Sequence, residues 1–417
     1  MKPKLLTTLP ETTPAVLGAD LLAGLTVAMV AIPLSIAIAI ASGAPPATGL
    51  ITAIVGGFLI SLLGGSRVQI GGPTGAFIVV VYGVIAAHGY DGLVLATLMA
   101  GVILVIGGLL RAGNLIALVP EPVVNGFTIG IAVIIGTSQI NDLLGLGITK
   151  VPADFLEKIP VLWAARAGFS WAAVAIGIGA LLAIVALRRL FPRWPGLIAA
   201  MALASLAVAV WHLPVDTIQS RYGELPRHLP FPVMPSLAAG KLAELLPSAL
   251  TIAFLAAIES LLSAMVADRM IESRHRPNAE LLAQGAANIG SALFGGLPAT
   301  GAIARTATNV RAGGKTPLAG VFHALIILLV MLVAAPLAGY LAMPALAALL
   351  LVTAWNMSEA HKWSGYWRAP PSERVLLLLT LLLTVLTNLT LAIAAGVGLG
   401  LLLRLRTKPA APSEPQA

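Results

Sequence analysis

The sequence predicts an all-α polytopic membrane protein of fourteen transmembrane segments. Three observations predict it: a composition too apolar for a soluble surface, apolar windows of membrane-spanning length along most of the chain, and one motif that occurs twice in opposite orientation.

Of the 417 residues, 58% are hydrophobic and only 10% are charged, and the mean hydropathy is +0.96. Once a core is filled, too few polar residues remain to coat a water-facing surface, so much of the surface must face lipid. Windows of about 20 apolar residues, enough to cross the hydrocarbon layer, recur between Leu21 and Leu403. The net charge of +8 sits singly or in threes between apolar runs. That pattern is topogenic and lacks the interleaved aromatics of a nucleic-acid surface. Cysteine is absent, which excludes a disulfide framework and a Cys-ligated metal. Lys2 and Lys4 before the first apolar run resemble a signal-peptide start, but an opening span followed by a dozen others is retained.

The first seven segments lie near residues 20–42, 45–63, 74–88, 92–110, 117–139, 171–188 and 195–212. The second seven lie near 246–267, 279–295, 301–310, 317–337, 339–354, 374–389 and 390–404. With both termini in the cytoplasm, eighteen Lys and Arg fall on the cytoplasmic side and six outside, all six in the long loops near 140–170 and 213–245. This bias supports a multi-pass protein of the plasma (inner) membrane in that orientation. Most of the seven tryptophans lie near segment ends, as an interfacial belt requires.

Segments three and ten are too short to cross alone, and each follows a short Gly/Pro-rich stretch that cannot be regular helix. Before the third the chain reads Gly64-Gly65, then Gly71-Gly72-Pro73-Thr74-Gly75-Ala76; before the tenth it reads Gly295-Gly296-Leu297-Pro298-Ala299-Thr300-Gly301-Ala302. The copies stand an odd number of segments apart, so they insert in opposite orientations. Interrupted helices at matching places in inverted repeats mark a transporter with a site near the bilayer midplane. Thr74-Gly75-Ala76 and Thr300-Gly301-Ala302 then begin two half-helices that face each other. Their free N–H groups and dipole ends create a gap that attracts an anion.

Two ionisable residues stand inside segments, Glu259 in the eighth and Arg305 in the tenth. A charge at a helix centre costs about 2.5–3.5 kcal/mol on insertion scales, so each needs a partner or a task. One reading makes them a structural ion pair. The other gives Arg305 and the helix starts an anion, and Glu259 the coupling cation. Glu259 could exchange a proton, or ligate sodium together with Ser263 one turn along; the residues alone leave this open. Glu121 reads as interfacial. His88 at a segment end and His323 in segment eleven read as structural, with His323 a satisfied core histidine. Neither histidine has neighbours that suggest a metal site. No P-loop, HExxH or GxSxG motif is present, so neither an ATP-driven pump, nor a hydrolase, nor a bound cofactor is expected.

These motifs resemble the sulfate permease (SulP) family of anion transporters, which includes prestin and pendrin. The resemblance rests on Asp20-Leu21-Leu22-Ala23-Gly24-Leu25-Thr26-Val27 with Pro33, on Gly72 to Ala76, and on Pro122 to Gly130. It rests most on the stretch from Glu259 through Asn288, Pro298, Thr300 and Arg305 to Gly320. It implies a seven-plus-seven inverted repeat: segments 1–4 and 8–11 form a core domain, segments 5–7 and 12–14 a gate domain. It also implies elevator transport by a homodimer. The expected parts are a cytoplasmic N-terminal segment (1–19), the first repeat (20–212), an extracytoplasmic loop (213–245), the second repeat (246–404) and a cytoplasmic tail (405–417).

Residue by residue, the resemblance matches Arg305 to the family's anion-pocket arginine, with backbone from Ala302, Ile303 and Ala304. Thr74 and Gly75 match the facing helix end, and Glu259 the acidic position linked to proton or sodium coupling. Two departures stand out. Many family members carry a polar then an aromatic residue after the segment-one proline, whereas this chain reads Leu34-Ser35-Ile36-Ala37-Ile38, which implies a more apolar pocket wall. Members also usually continue into a STAS domain, whereas a Pro/Ala-rich tail ends this chain at Ala417; a membrane domain without STAS is expected, either because the sequence is truncated or because regulation through that domain is absent.

The leading expectation is proton-coupled symport of a small anion such as sulfate, bicarbonate or a dicarboxylate. The alternatives are sodium coupling, uncoupled exchange or a channel, and a nucleobase permease on the same fold. Arg305 disfavours a neutral nucleobase. A non-transporting scaffold is the reading from another class.

Overall fold

The computed structural model describes residues 2–114, 119–149, 151–191, 196–237, 239–387 and 389–406. The predicted segment starts at 117 and 195, together with Lys150, Arg193, Trp194 and the tail from 407, lie outside the described residues.

The longer helices of the first half are α1 (Pro14–Ala41), α2 (Pro46–Leu63), α3 (Gly75–Leu109), α4 (Glu121–Leu144), α5 (Trp171–Leu190) and α6 (Gly196–Val210). Those of the second half are α7 (Ala239–Ile271), α8 (Pro277–Leu293), α9 (Ile303–Arg311), α10 (Leu318–Gly339), α11 (Met343–Met357), α12 (Pro371–Leu386) and α13 (Leu389–Arg406). Seven described helices are long and apolar enough to cross a membrane. On α10, Val333 is 71% exposed and Leu337 69%. A row of such side chains is stable only against hydrocarbon.

The helices start and stop where local chemistry dictates. Pro14 occupies the first turn of α1 behind a Thr13 cap, and Ser170 caps α5 by accepting from Ala173 N. Predicted segments three and four form one helical stretch, α3, broken once at Gly89, whose φ of 71° suits glycine. Within α2 the run Thr52–Gly56 is a π-helix; such bulges gather at functional positions.

Two packing groups emerge. In one, α3 is clasped by α7 and α8, α10 lies along α1, and α9 touches both α7 and α1. The other joins α12 to α4 and α13, and α5 to α6 and α11. Helix crossings depend on small residues, since little but packing drives association in lipid. At the α3–α8 crossing, a Cβ on Gly285 would press on Gly101 O and Val105 N.

Two short strands tie the halves together. β1 (Gly71–Gly72) and β2 (Thr300–Gly301) pair antiparallel, Gly71 opposite Gly301 and Gly72 opposite Thr300. Both copies of the duplicated motif therefore meet at one place, deep in the first packing group.

The structure corrects the count of buried charges. Asp20 and Glu280 stand at segment ends in the sequence, yet both are fully buried. Asp20 accepts from Lys315 N at 2.6 Å and Thr316 N at 3.1 Å. Glu280 accepts from Gly65 N at 2.8 Å. Each carboxylate satisfies chain-end N–H groups of another segment, and these local donors make its burial tolerable.

Candidate functional site

The site is built from the ends of β1 and β2. Past β1 the chain runs through Pro73 and extended Thr74 (φ −126°, ψ 156°) into the first turn of α3. Past β2 it runs through extended Ala302 (φ −108°, ψ 110°) into α9. The N–H groups of Gly75 and Ala76, and of Ile303, Ala304 and Arg305, have no acceptor among the described residues. These are the orphan donors that every helix start leaves. Thr74 Oγ1 is likewise buried and without a partner. In the first turn of α9, Ile303 and Ala304 are exposed and Arg305 is buried.

Arg305 is 2% exposed. Its Nη2 donates to Ser35 Oγ at 3.0 Å and to Pro73 O at 3.1 Å. Nε and Nη1 have no hydrogen-bond partner among the described residues. Gly72, at φ 146°, lies against the guanidinium, and a Cβ there would fall on Nη1. The positive charge is thus clamped behind β1 by α1 and Pro73.

Glu259, 9% exposed, shares a face of α7 with Ala256, Ser260 and Ser263. That face packs on the site: Ala256 O accepts from Thr300 Oγ1 at 2.9 Å, and Ser263 Oγ lies 3.1 Å from Thr306 Oγ1. Glu259 itself makes no ion pair within 4.0 Å among the described residues. The structural Glu259–Arg305 pair is therefore not formed. The two charges stand on different helices, Glu259 on α7 and Arg305 on α9.

Several supporting contacts could not be foreseen from the sequence, where Asn288 entered only through the family resemblance. Ser35, which there marked only a departure from the family pattern, braces Arg305. Thr52 on the π-helical turn accepts from Leu297 N at 2.6 Å. Asn288 brackets Ala299, donating to its O at 2.9 Å and accepting from its N at 3.0 Å. Ile70 donates to Thr306 Oγ1 at 3.1 Å and accepts from Ala302 N at 2.8 Å. His323 is also corrected. It is fully buried as expected, but neither ring nitrogen has a hydrogen-bond partner among the described residues. By contrast His88 lies 3.1 Å from Glu244, beside a cavity of about 670 Å³ that Tyr90, Asp91 and Gly295 also line. Neither Glu259 nor Arg305 lines that cavity.

Comparison with known proteins converges on one family. The model of the "Sulfate permease family" matches residues 17–380. The "Putative sulfate transporter YvdB" of Bacillus subtilis (strain 168) is 45% identical over 372 residues, covering 89% of this chain and 70% of that protein. The transmembrane domain of a cyanobacterium bicarbonate transporter, BicA, superposes with a TM-score of 0.82 at 29% identity, covering 91% of this chain and 98% of that one. SLC26A9 shares the fold, with a TM-score of 0.86 at 18% identity over 97% of this chain and 68% of that one. The duplicated Gly/Pro–Thr-Gly-Ala motif, its paired strands and the arginine behind them all lie inside the matched region. This multi-pass membrane protein therefore belongs to the sulfate permease family, whose members are transporters and not enzymes.

Proposed function

We propose that the chain is a secondary active transporter of a small anion of the sulfate, bicarbonate or dicarboxylate class. The observation that carries this reading is the pairing of the two motif copies as β1 and β2, each leading into a helix start, beside a buried guanidinium that has no carboxylate partner among the described residues. Five N–H groups at the two helix starts have no acceptor among the described residues, and an anion held between them would complement these donors, the helix dipoles and the guanidinium. A neutral nucleobase would leave the guanidinium uncompensated.

In this reading fourteen segments form a seven-plus-seven inverted repeat, with α3 and α9 supplying the half-helices. The packing group of α1–α3 and α7–α10 is the moving core domain, and α4–α6 with α11–α13 is the gate. The core carries the anion across by an elevator motion. The protein works as a homodimer in the plasma membrane, with both termini cytoplasmic. Thr74, Gly75 and Ala76 on one side and Thr300 to Arg305 on the other hold the anion.

Glu259 carries the coupling proton. Its freedom from any ion pair supports this, because a carboxylate locked to Arg305 could not exchange a cation. Sodium held by Glu259 and Ser263 is the alternative, and the Ser263–Thr306 contact still leaves the serine oxygen a lone pair for it. Reconstituted into liposomes, the protein should accumulate radiolabelled sulfate or bicarbonate when a pH gradient is imposed. Accumulation under a sodium gradient alone would replace proton with sodium, and uptake indifferent to both would reject coupling. Glu259→Gln should keep anion exchange and lose gradient-driven accumulation.

A further inference from the structure

Behind β1 the fold holds a carboxylate that the anion pocket does not use. Glu280 lies in the first turn of α8, fully buried, with no cation within 4.0 Å among the described residues. Three donors converge on it. Ser260 Oγ reaches Oε1 at 2.8 Å, Gln284 Nε2 reaches Oε1 at 2.9 Å, and Gly65 N reaches Oε2 at 2.8 Å.

Ser260 is the hub of this arrangement. Its hydroxyl also accepts from Gln284 Nε2 at 2.7 Å and from Gln69 Nε2 at 2.8 Å. A hydroxyl has one proton and two lone pairs, so its capacity is full and its polarity fixed. With two amides donating to it, its proton goes to Glu280, which must accept on both oxygens. Gln69 in turn stands two residues before β1, and its amide lies flat on β2. A Cβ on Gly301 would overlap Gln69 Nε2. The chain of contacts thus runs from Glu280 through Ser260 and Gln69 to the crossing of the two strands.

We infer that Glu280 is a positioning residue for the anion pocket: through Ser260 it holds the Gln69 amide beneath Gly301 and so sets how β1 and β2 meet. This rests on the reading that the anion sits between the starts of α3 and α9. The polarity makes Glu280→Gln unlike an ordinary isosteric change. A glutamine has one acceptor oxygen, so in either orientation its amide opposes Gly65 N–H or the Ser260 and Gln284 donors. The exchange Glu280→Gln with Gln284→Glu repairs this. The carboxylate introduced at position 284 then takes the Ser260 proton, while the amide introduced at position 280 donates to Ser260 Oγ and accepts from Gly65.

The test measures uptake of radiolabelled sulfate and bicarbonate by the full chain in liposomes, with thermal stability recorded for each variant. Glu280→Gln and Gln69→Ala should each raise KM about tenfold, the size of one misplaced buried hydrogen bond, with little change in maximal rate. The paired exchange should return KM toward the parent value. Gln69→Ala leaves all three donors on Glu280 and so carries the test if Glu280→Gln does not fold. An unchanged KM in Gln69→Ala, with any loss in Glu280→Gln confined to stability, overturns the inference. Arg305→Ala in the same assay separates the two levels. If it too binds normally the pocket reading fails, whereas if it alone is defective only the role of Glu280 fails.

Discussion

Arg305 carries a buried charge that the fold pairs only in part. Among the described residues two of its nitrogens have no acceptor, and the third is spent on Ser35 and Pro73. Arg305→Ala should therefore weaken anion binding about a hundredfold or more. Arg305→Lys should rescue it only in part, because one ammonium cannot hold Ser35 and Pro73 and also offer an anion the Nε and Nη1 donors that the guanidinium keeps free. Gly72→Ala should mimic the loss, since its Cβ would displace Nη1; anion affinity and melting temperature, measured together, check it. A separate residue-scale prediction concerns Lys158, buried in the short helix Phe155–Ala164 outside the proposed spans. Burial pushes its ammonium down from 10.5 to about 8, against the weaker pull of Asp154. The unfolded chain then holds the extra proton between about pH 8 and 10.5, so stability should rise with pH across that window. Lys158→Met should be more stable at about pH 7 and should flatten this rise in detergent melts.

At the scale of elements, the strand crossing depends on glycine at 301. Gly301→Ala should lower protein abundance and transport, because Gln69 must leave its place on Ser260. Adding Gln69→Ala should recover abundance by reopening that space, and failure to recover would show that the crossing is not what limits folding. The elements themselves were legible in the sequence for a physical reason. Membrane insertion is decided by local hydropathy, so the segments, and the duplicated motif that became β1 and β2, could be read from neighbouring residues. The buried polar supports could not. Gln69 meets Ser260 across 191 residues of chain, and Arg305 meets Ser35 across 270. Glu280 looked like an ordinary acidic residue in a helix first turn, and only its three distant or neighbouring donors reveal its burial. His323 misled in the opposite sense: an apolar sequence context suggests burial but says nothing about whether its nitrogens find partners.

For the whole molecule, family membership and fold agree with the site: a multi-pass helical transporter whose two halves meet at one buried crossing. The proposed division into a moving core and a gate predicts that cross-links within the α3–α8 crossing spare transport, whereas cross-links between the two packing groups arrest it. Arrest by both kinds would argue against rigid-body movement. The central claim is that the crossing, with its lone guanidinium, is where the anion binds. The most direct measurement is equilibrium binding of labelled sulfate and bicarbonate to the purified protein and to Arg305→Ala, each shown to be folded by its melting curve. Saturable binding by the parent chain and none by the folded variant is the predicted result. An Arg305→Ala protein that binds the same anion with the parent affinity would contradict it.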